Sequence, residues 1–128
     1  MTVGRPGTIL LVEDEADIQL TVRLALELSG FDVVVSPTAE RALEELATLT
    51  PAAMLLDITL PGMDGWSLLQ RLQDDGRLQT LRVIVVSAHV SEEVSKRAET
   101  FGARFLTKPF DVLALRRILA EVTGGGAS

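Results

Sequence analysis

Acidic, hydroxyl and basic side chains follow short apolar runs at four places along the chain. Glu13 and Asp14 follow the first of these runs, Asp57 ends another, Ser87 ends a third and Lys108 follows a fourth. Carboxylates packed together repel one another, so one must be protonated or a cation must lie among them. Mg2+ suits such a place because it binds one or two carboxylates, keeps several waters and recruits phosphate oxygens. These residue types indicate phosphoryl chemistry if the fold brings them together.

Each residue has a role that phosphoryl transfer requires. Such transfer depends on positioning and on neutralising spread negative charge. Asp57 can act as the nucleophile and form an aspartyl phosphate. Lys108 supplies a compact positive charge, Ser87 supplies a hydroxyl donor, and the small Ala88 leaves room for the group to enter. Taken singly, each residue could instead be a solvated strand end, a helix-terminal charge or a cap, but only a shared site predicts all the positions together.

Short apolar runs recur at intervals of roughly 25 residues, and a segment with helical spacing follows each of them. Brief runs rich in Val, Ile and Leu are typical of strands buried on both faces of a parallel sheet. We therefore predict an α/β fold with a doubly wound, five-stranded parallel sheet and five helices. In the strand order 2-1-3-4-5, the polar strand ends would meet at one rim. The predicted strands are Thr8–Val12, Asp32–Val35, Ala53–Leu56, Val83–Val86 and Arg104–Leu106.

Capping residues and apolar stripes mark the predicted helices. Thr38, Ser91 and Asp111 are expected to be N-caps, and Gly30 is expected to end the first helix. The second helix is predicted from about Ala39 to Leu49. In the first helix the buried stripe is expected to include Ile18, Val22, Ala25 and Leu26, with Leu20, Leu24 and Leu28 beside it.

Length and composition limit the remaining possibilities. The 128 residues fit one domain at 8–123, with an N-terminal arm at 1–7 and a flexible tail or linker stub at 124–128. The net charge of −6 argues against direct nucleic-acid binding by this domain. No apolar run approaches the roughly 20 residues that cross a bilayer, and the N-terminus does not resemble a signal peptide. Together with the absence of cysteine, this predicts a cytoplasmic protein without a membrane segment.

At these positions the chain resembles the receiver domain of two-component response regulators, the CheY-like type. The resemblance covers about residues 8–122, and the ordered set of motifs is more specific than any one of them. The matching segments are Ile9–Glu15, Leu56–Gly65, Val85–Ala88, Gly102–Ala103 and Leu106–Phe110.

The resemblance implies a flavodoxin-like fold and a phosphoacceptor role for Asp57. A sensor histidine kinase or a histidine phosphotransfer protein would supply the phosphoryl group. Asp14, Asp57 and the main-chain carbonyl of Thr59 would bind Mg2+, with Glu13 acting through water. Lys108 would pair with the phosphoryl group, and its bond to Pro109 would be cis. Such a domain is not an enzyme with a separate substrate, because it assists only its own phosphorylation and dephosphorylation.

The resemblance also implies a switch. After phosphorylation the Ser87 hydroxyl would move toward the phosphoryl group, and Phe105 would turn inward. The surface of helix 4, strand 5 and helix 5 would then contact an effector domain, a target protein or a second copy in a homodimer. Glu13 stands where many relatives have Asp, and Phe105 replaces the commoner Tyr. Without a hydroxyl group, Phe105 can couple only through packing.

Several neighbours of the predicted site are interpreted less specifically. Thr59 and His89, each two residues after a site residue, would flank the phosphoryl group and tune its hydrolysis; for His89, the only histidine, simple solvent exposure is the alternative. Trp66 is expected to pack in the core and to report Mg2+ binding by fluorescence. Leu113 and Ala114 lie off the apolar stripe of the last helix, which indicates either a contact face or ordinary surface scatter.

Two other functions compete with this hypothesis. An aspartate-nucleophile phosphohydrolase of the haloacid dehalogenase type needs a second acid two residues after the nucleophile, where this chain has Thr59. A receiver-like interaction module that is never phosphorylated would not need the full set of predicted site residues.

Overall fold

The fold is seen in a computed structural model, which describes residues 7–60, 62–88 and 91–123. The predicted N-terminal arm, apart from Gly7, and the predicted tail at 124–128 lie outside these residues. Strands and helices alternate along the chain, with one short 3-10 helix at Arg77–Gln79. The strands are β1 (Thr8–Val12), β2 (Asp32–Ser36), β3 (Ala53–Asp57), β4 (Val83–Ser87) and β5 (Arg104–Thr107), and the helices are α1 (Ala16–Leu28), α2 (Ala39–Leu46), α3 (Gly65–Asp74), α4 (Glu92–Thr100) and α5 (Val112–Val122).

The strands form a parallel sheet in the order β2-β1-β3-β4-β5. This confirms the predicted flavodoxin-like α/β fold. The three middle strands are almost entirely buried, as the unbroken apolar runs predicted, and β2 and β5 form the edges. Four strands extend one residue beyond their predicted ends, because Ser36, Asp57, Ser87 and Thr107 pair in the sheet despite being polar. The polar rim is therefore part of the sheet itself.

Alternation along the strands divides the core into two layers. One layer, here the α2–α4 face, contains Leu10, Val12, Leu56 and Val85 and packs against α2, α3 and α4. The other layer, the α1/α5 face, packs against α1 and α5. Its buried side chains include Ile9, Leu11, Val22, Leu26, Leu55, Val86, Leu106, Leu115 and Leu119.

The predicted helix caps are confirmed. The side chains of Thr38, Ser91 and Asp111 accept backbone N–H bonds of 3.0, 3.1 and 2.7 Å at the starts of α2, α4 and α5. A fourth cap was not predicted: Asp64 accepts a 2.8 Å bond from the Ser67 N–H and begins α3. The second helix ends at Leu46 rather than Leu49. The N–H groups of Ala47 and Thr48 bond to carbonyls three residues earlier, those of Glu44 and Glu45, so the chain leaves the α-helical pattern in a tighter last turn.

Exposure on the outer helices differs from the sequence-based expectation in one place. Leu113 is 67% exposed, in agreement with its position off the stripe. Ala114, in contrast, is half-buried and packs against the α1/α5 core. It lies four residues before Ile118 and therefore on the flank of the buried stripe. Within the described ranges, no helix combines the length and apolar composition needed to cross a membrane.

Candidate functional site

The carboxyl ends of β1, β3, β4 and β5 meet at one rim of the sheet. Glu13 follows β1 and is 2% exposed, and Asp57 ends β3 and is 6% exposed. Along each strand, Glu13, Asp57 and Lys108 are two residues beyond Leu11, Leu55 and Leu106, which all lie in the α1/α5 core. Side chains two residues apart in a strand point the same way. The side chains of Glu13, Asp57 and Lys108 therefore lie on the same side of the rim.

Lys108 bridges the two buried carboxylates. Its ammonium group donates to Glu13 Oε1 and to Asp57 Oδ2, with both N···O distances 2.9 Å. The side chain of Lys108 is 16% exposed, and those of the two acids are 3% and 6% exposed. Buried carboxylates are tolerated only when they are paired and hydrogen-bonded, and Lys108 meets this requirement for both.

The backbone around Lys108 fixes the base of this side chain. The Lys108 N–H donates to the Ser87 carbonyl at 2.8 Å, which continues the pairing of β4 with β5 beyond the last strand residue. The Lys108–Pro109 peptide bond is cis, as the resemblance implied. Lys108 is thus held at the sheet edge, with its side chain directed back over the rim.

The second oxygen of each carboxylate also has a donor. The Thr59 N–H donates to Asp57 Oδ1 at 2.8 Å, and the Glu15 N–H donates to Glu13 Oε2 at 3.2 Å. The loop after β3 is further constrained by Gly65, because a Cβ there would lie 2.7 Å from the Ile58 Cα. The glycine therefore lets α3 begin directly against the end of β3.

Carboxylate oxygens of Glu13, Asp14 and Asp57 lie within 4.8 Å of one another. Glu13 and Asp57 are buried, whereas Asp14 is exposed at the mouth of the cluster. Oxygen donors at this spacing fit a small hard cation such as Mg2+, which accepts one or two carboxylates and keeps water on its open side. The sequence did not predict one feature of this cluster, the direct ion pair between Glu13 and Lys108.

The pKa values of Glu13 and Lys108 depend on each other and on the charge of Asp57. Burial raises the pKa of Glu13 above its ordinary value of 4.5, and the neighbouring charge of Asp57 acts in the same direction, against hydrogen bonds from Lys108 and Glu15. For Lys108, burial works against the charged form, but hydrogen bonds and charge from Asp57 and Glu13 prevail, so its pKa is raised above 10.5. The lysine stays protonated, and an added cation would relieve the repulsion between the acids.

The remaining predicted site residues are distributed around this cluster. Ser87 is buried and Ala88 is exposed at the end of β4. Phe105, on β5, is half-buried and packs against the α2–α4 core. Thr59 is exposed beside Asp57, and His89 lies outside the described residues.

Sequence reasoning missed one contact of the loop after β3. Glu40, in the first turn of α2, accepts a 3.3 Å hydrogen bond from the Met63 N–H, 23 residues away along the chain. No local pattern indicates such a long-range contact. An acid in the first turn of a helix is ordinarily explained by the helix dipole alone.

Trp66 forms a second unpredicted contact. Its ring stacks on Phe101 with a 6.2 Å centroid distance, and the Arg97 guanidinium lies 4.7 Å from its centre. Trp66 also packs against the α2–α4 core, as expected. The indole therefore joins the first turn of α3, near Asp57, to the end of α4.

A groove of about 300 Å3 opens beside Lys108 between α1 and the segment after β5. Its walls include Ile18, Val22, Pro109 and Phe110, so it is mainly apolar next to a charged rim.

Comparison with known proteins agrees with this geometry. The family model for the response regulator receiver domain matches residues 9–120. A Leptolyngbya boryana protein described only as an uncharacterised 14.6 kDa protein is 35% identical, over 88% of this chain and 87% of its own length. The transcriptional regulatory protein CseB of Streptomyces coelicolor is 38% identical over 92% of this chain, which spans only 52% of CseB.

The fold has a close counterpart among solved structures. A putative response regulator from Chloroflexus aurantiacus superposes with a TM-score of 0.86 and is 26% identical, over 94% of this chain and 99% of the other. The family match covers nearly the whole sheet and includes Glu13, Asp57 and Lys108. The chain therefore belongs to the response regulator receiver domain family, the signalling domain of two-component systems.

Proposed function

We propose that Asp57 accepts a phosphoryl group from a phosphohistidine of a sensor histidine kinase or a histidine phosphotransfer protein. The observation that carries this proposal is the Lys108 ammonium, 2.9 Å from both Glu13 and Asp57 in a buried acidic rim. A lysine held between two carboxylates is already at the place where three phosphoryl oxygens would add negative charge.

The transfer itself exchanges one bond for another. An oxygen of Asp57 attacks phosphorus, the bond from phosphorus to the donor imidazole nitrogen breaks, and the imidazole leaves. The Thr59 N–H, 2.8 Å from Asp57 Oδ1, fixes the orientation of the carboxylate. Lys108 can shift one of its three donors from a carboxylate to a phosphoryl oxygen. In this way the chain contributes positioning and charge, which are what phosphoryl transfer requires.

Mg2+ is the cofactor that fits the rim. Asp14, Asp57 and the Thr59 carbonyl would hold it, with Glu13 in reach of a bound water. The ion supplies positive charge to the phosphoryl oxygens and to the carboxylates that otherwise repel one another.

The proposed phosphorylation and the proposed switch involve different faces of the sheet. Ser87 lies two residues after Val85 in β4, so the two side chains point to the same face. Ser87 pairs with Thr107, two residues beyond Phe105. Val85 and Phe105 both pack in the α2–α4 core. A movement of the Ser87 hydroxyl toward the phosphoryl group would therefore free space on the face that holds Phe105. We propose that Phe105 fills this space by packing alone and thereby alters the surface of α4, β5 and α5.

The altered surface would bind an effector domain, a target protein or a second copy of the chain in the cytoplasm. Relatives such as CseB are longer transcriptional regulators, which supports an effector domain as one such partner. Thr59 and His89 would tune the lifetime of the phosphoryl group. The domain would act on no separate substrate and would bind neither nucleic acid nor membrane directly.

The direct experiment is intact-mass measurement after incubation with acetyl phosphate and Mg2+. We expect one added phosphoryl group on the wild-type chain, none on Asp57→Asn and none when EDTA removes the metal. A Glu40→Gln variant, changed outside the rim, is the matched control and should be modified like the wild type. An unmodified wild-type chain would contradict the proposal, and so would unchanged modification of Asp57→Asn.

The same samples distinguish the competing functions. Catalytic hydrolysis of varied phosphomonoesters would indicate a phosphohydrolase. Absence of both hydrolysis and modification would indicate an interaction module that is never phosphorylated.

A further inference from the structure

Three large apolar side chains lie exposed in one row on α1. Leu20, Leu24 and Leu28 are 59%, 51% and 89% exposed, and they are spaced four residues apart. Residues four apart are neighbours on a helix surface, so they form a continuous stripe, here named the outer leucine row. Single exposed leucines are ordinary on proteins, whereas contiguous apolar stripes usually mark contact surfaces.

The outer leucine row has no part in the core or the acidic rim. Val22 and Leu26 define the buried side of α1. Leu24 is two residues from each of them, about 200° around the helix, and therefore points away from the sheet. The groove beside Lys108 is lined by Ile18, Thr21 and Val22, none of which belongs to the row. The row is thus a separate surface.

Charges flanking the row decide which partner fits it. Arg23 and Glu27 lie along one flank and Asp17 along the other, so both signs are present. A membrane surface or a nucleic acid would be recognised by a flank rich in Lys and Arg, and the chain as a whole carries −6. A flank with both signs is instead complementary to a copy of itself, if the copy runs in the opposite direction.

An antiparallel pair of α1 helices satisfies this condition. With Leu24 opposite Leu24 across a two-fold axis, Leu20 of each copy lies level with Leu28 of the other. Arg23 and Glu27 form an ion pair of 3.2 Å within one helix. In the pair of helices, Arg23 would lie about 3 Å along the axis from the level of Glu27 of the other copy, because two residues rise that far. Each arginine could then contact glutamates of both copies.

We propose that the outer leucine row is a contact surface for a second copy of this chain, through an antiparallel α1–α1 dimer. Both partners present the same patch, as a two-fold interface requires. The three leucines supply less than the roughly 800 Å2 per partner of a standard stable interface, so the dimer is weak and depends on concentration. It differs from a dimer through α4, β5 and α5, and it does not depend on phosphorylation of Asp57.

Disulfide trapping tests this geometry without interference, because the chain contains no cysteine. Leu24→Cys places a thiol at the two-fold axis, and Gln73→Cys places one on the exposed side of α3, outside both proposed contact surfaces, as the matched control. We expect Leu24→Cys to form a covalent dimer at least about tenfold faster, since facing thiols have a high effective concentration. Equal rates, or a faster Gln73→Cys reaction, would overturn the proposal. Circular dichroism checks that both variants keep the wild-type helix content.

Sedimentation equilibrium with charge variants tests whether the partner is a second copy of the chain. Arg23→Glu should weaken self-association about tenfold, within the range seen when an interface charge loses its partner. Adding Glu27→Arg to the same chain should restore it, because a copy with both changes is again complementary to itself. A wild-type chain that stays monomeric up to about 1 mM, the range of very weak binding, would overturn the proposal, and so would failure of the double change to restore association.

Discussion

The acidic rim and the outer leucine row break the usual rule of burial in opposite directions. At the rim, Glu13 and Asp57 are charged and buried, and on α1 three leucines are apolar and exposed. The first departure is compensated within the chain, because Lys108 pairs with both acids. In the described residues the second has no such compensation, since the row points away from the sheet. The buried charges of the rim are thus paired within the chain, whereas the outer leucine row would be covered only in the proposed dimer.

The two departures also have different origins. The sheet order places the ends of β1, β3, β4 and β5 together, so any receiver built on this topology gathers its site there. Nothing in the topology requires leucines on the outer side of α1. The row is thus a property of this sequence rather than of the fold.

The largest expected effect follows removal of the Lys108 ammonium group from the rim. Lys108→Ala removes the only charged partner described for the two buried carboxylates and should cost about 3–5 kcal/mol at pH 8, the range for breaking a buried pair. Lys96→Ala is the matched control, because its pair with Glu92 is exposed on α4. That change should cost no more than about 0.5 kcal/mol. Urea unfolding in EDTA measures both, and equal losses would contradict the role given to Lys108.

A comparison within α1 separates its two sides. Leu26 is fully buried, so Leu26→Ala should lower the free energy of unfolding by about 2–5 kcal/mol. Leu24→Ala, two residues away, should change it by no more than about 0.5 kcal/mol, as for other surface substitutions. Urea unfolding at low protein concentration keeps association out of the measurement. A large loss for Leu24→Ala would mean that the row already has a partner within the chain.

The pH dependence of stability should report the rim directly. Glu13 has a raised pKa in the folded chain, so above pH 4.5 the folded state holds its proton longer than the unfolded state does. Its contribution to stability is therefore lost as pH rises from 4.5 through the folded pKa. The urea midpoint in EDTA should show this loss for the wild type and not for Glu13→Gln. A wild-type profile that matches the variant would contradict the pKa direction.

Lys108 predicts a second loss at higher pH. Its folded pKa is raised, so its contribution is complete below pH 10.5 and disappears as pH rises through the folded pKa.

The smallest effect concerns the contact between α3 and α4. Arg97→Ala removes the cation from the Trp66 ring and should cost about 0.5–1 kcal/mol, the range for exposed cation–π pairs. It should also shift the emission of Trp66, the single tryptophan. Arg116→Ala, on the exposed side of α5, serves as the control and should leave the emission unchanged. Identical spectra for both variants would show that Arg97 does not perturb the indole.

The sequence was sufficient to predict the fold and the meeting of Glu13, Asp57 and Lys108 at one rim of the sheet. Unbroken apolar runs predicted buried parallel strands, and polar residues at their ends predicted the shared rim. The sequence could not reveal that Glu13 pairs directly with Lys108. That contact depends on which face of the sheet each rim side chain points to. Strands that are apolar on both faces show no alternation of polar and apolar residues, so their sequence does not reveal the face.

Details that depend on distant packing also escaped the sequence. The bond from Met63 to Glu40 joins segments that only the folded topology brings together. Ala114 lies off the predicted apolar stripe, yet its helical position, four residues before Ile118, makes it part of the core flank. Local patterns succeeded where the chemistry was local, as at the caps Thr38, Ser91 and Asp111.

The most direct test of the central claim identifies the modified atom. Borohydride reduces an acyl phosphate to an alcohol, so it should convert phosphorylated Asp57 to homoserine after incubation with acetyl phosphate and Mg2+. Peptide mass spectrometry should find homoserine at position 57 alone, and only in samples that contained the metal. Homoserine at another acid of the rim, or equal conversion in EDTA, would contradict the account.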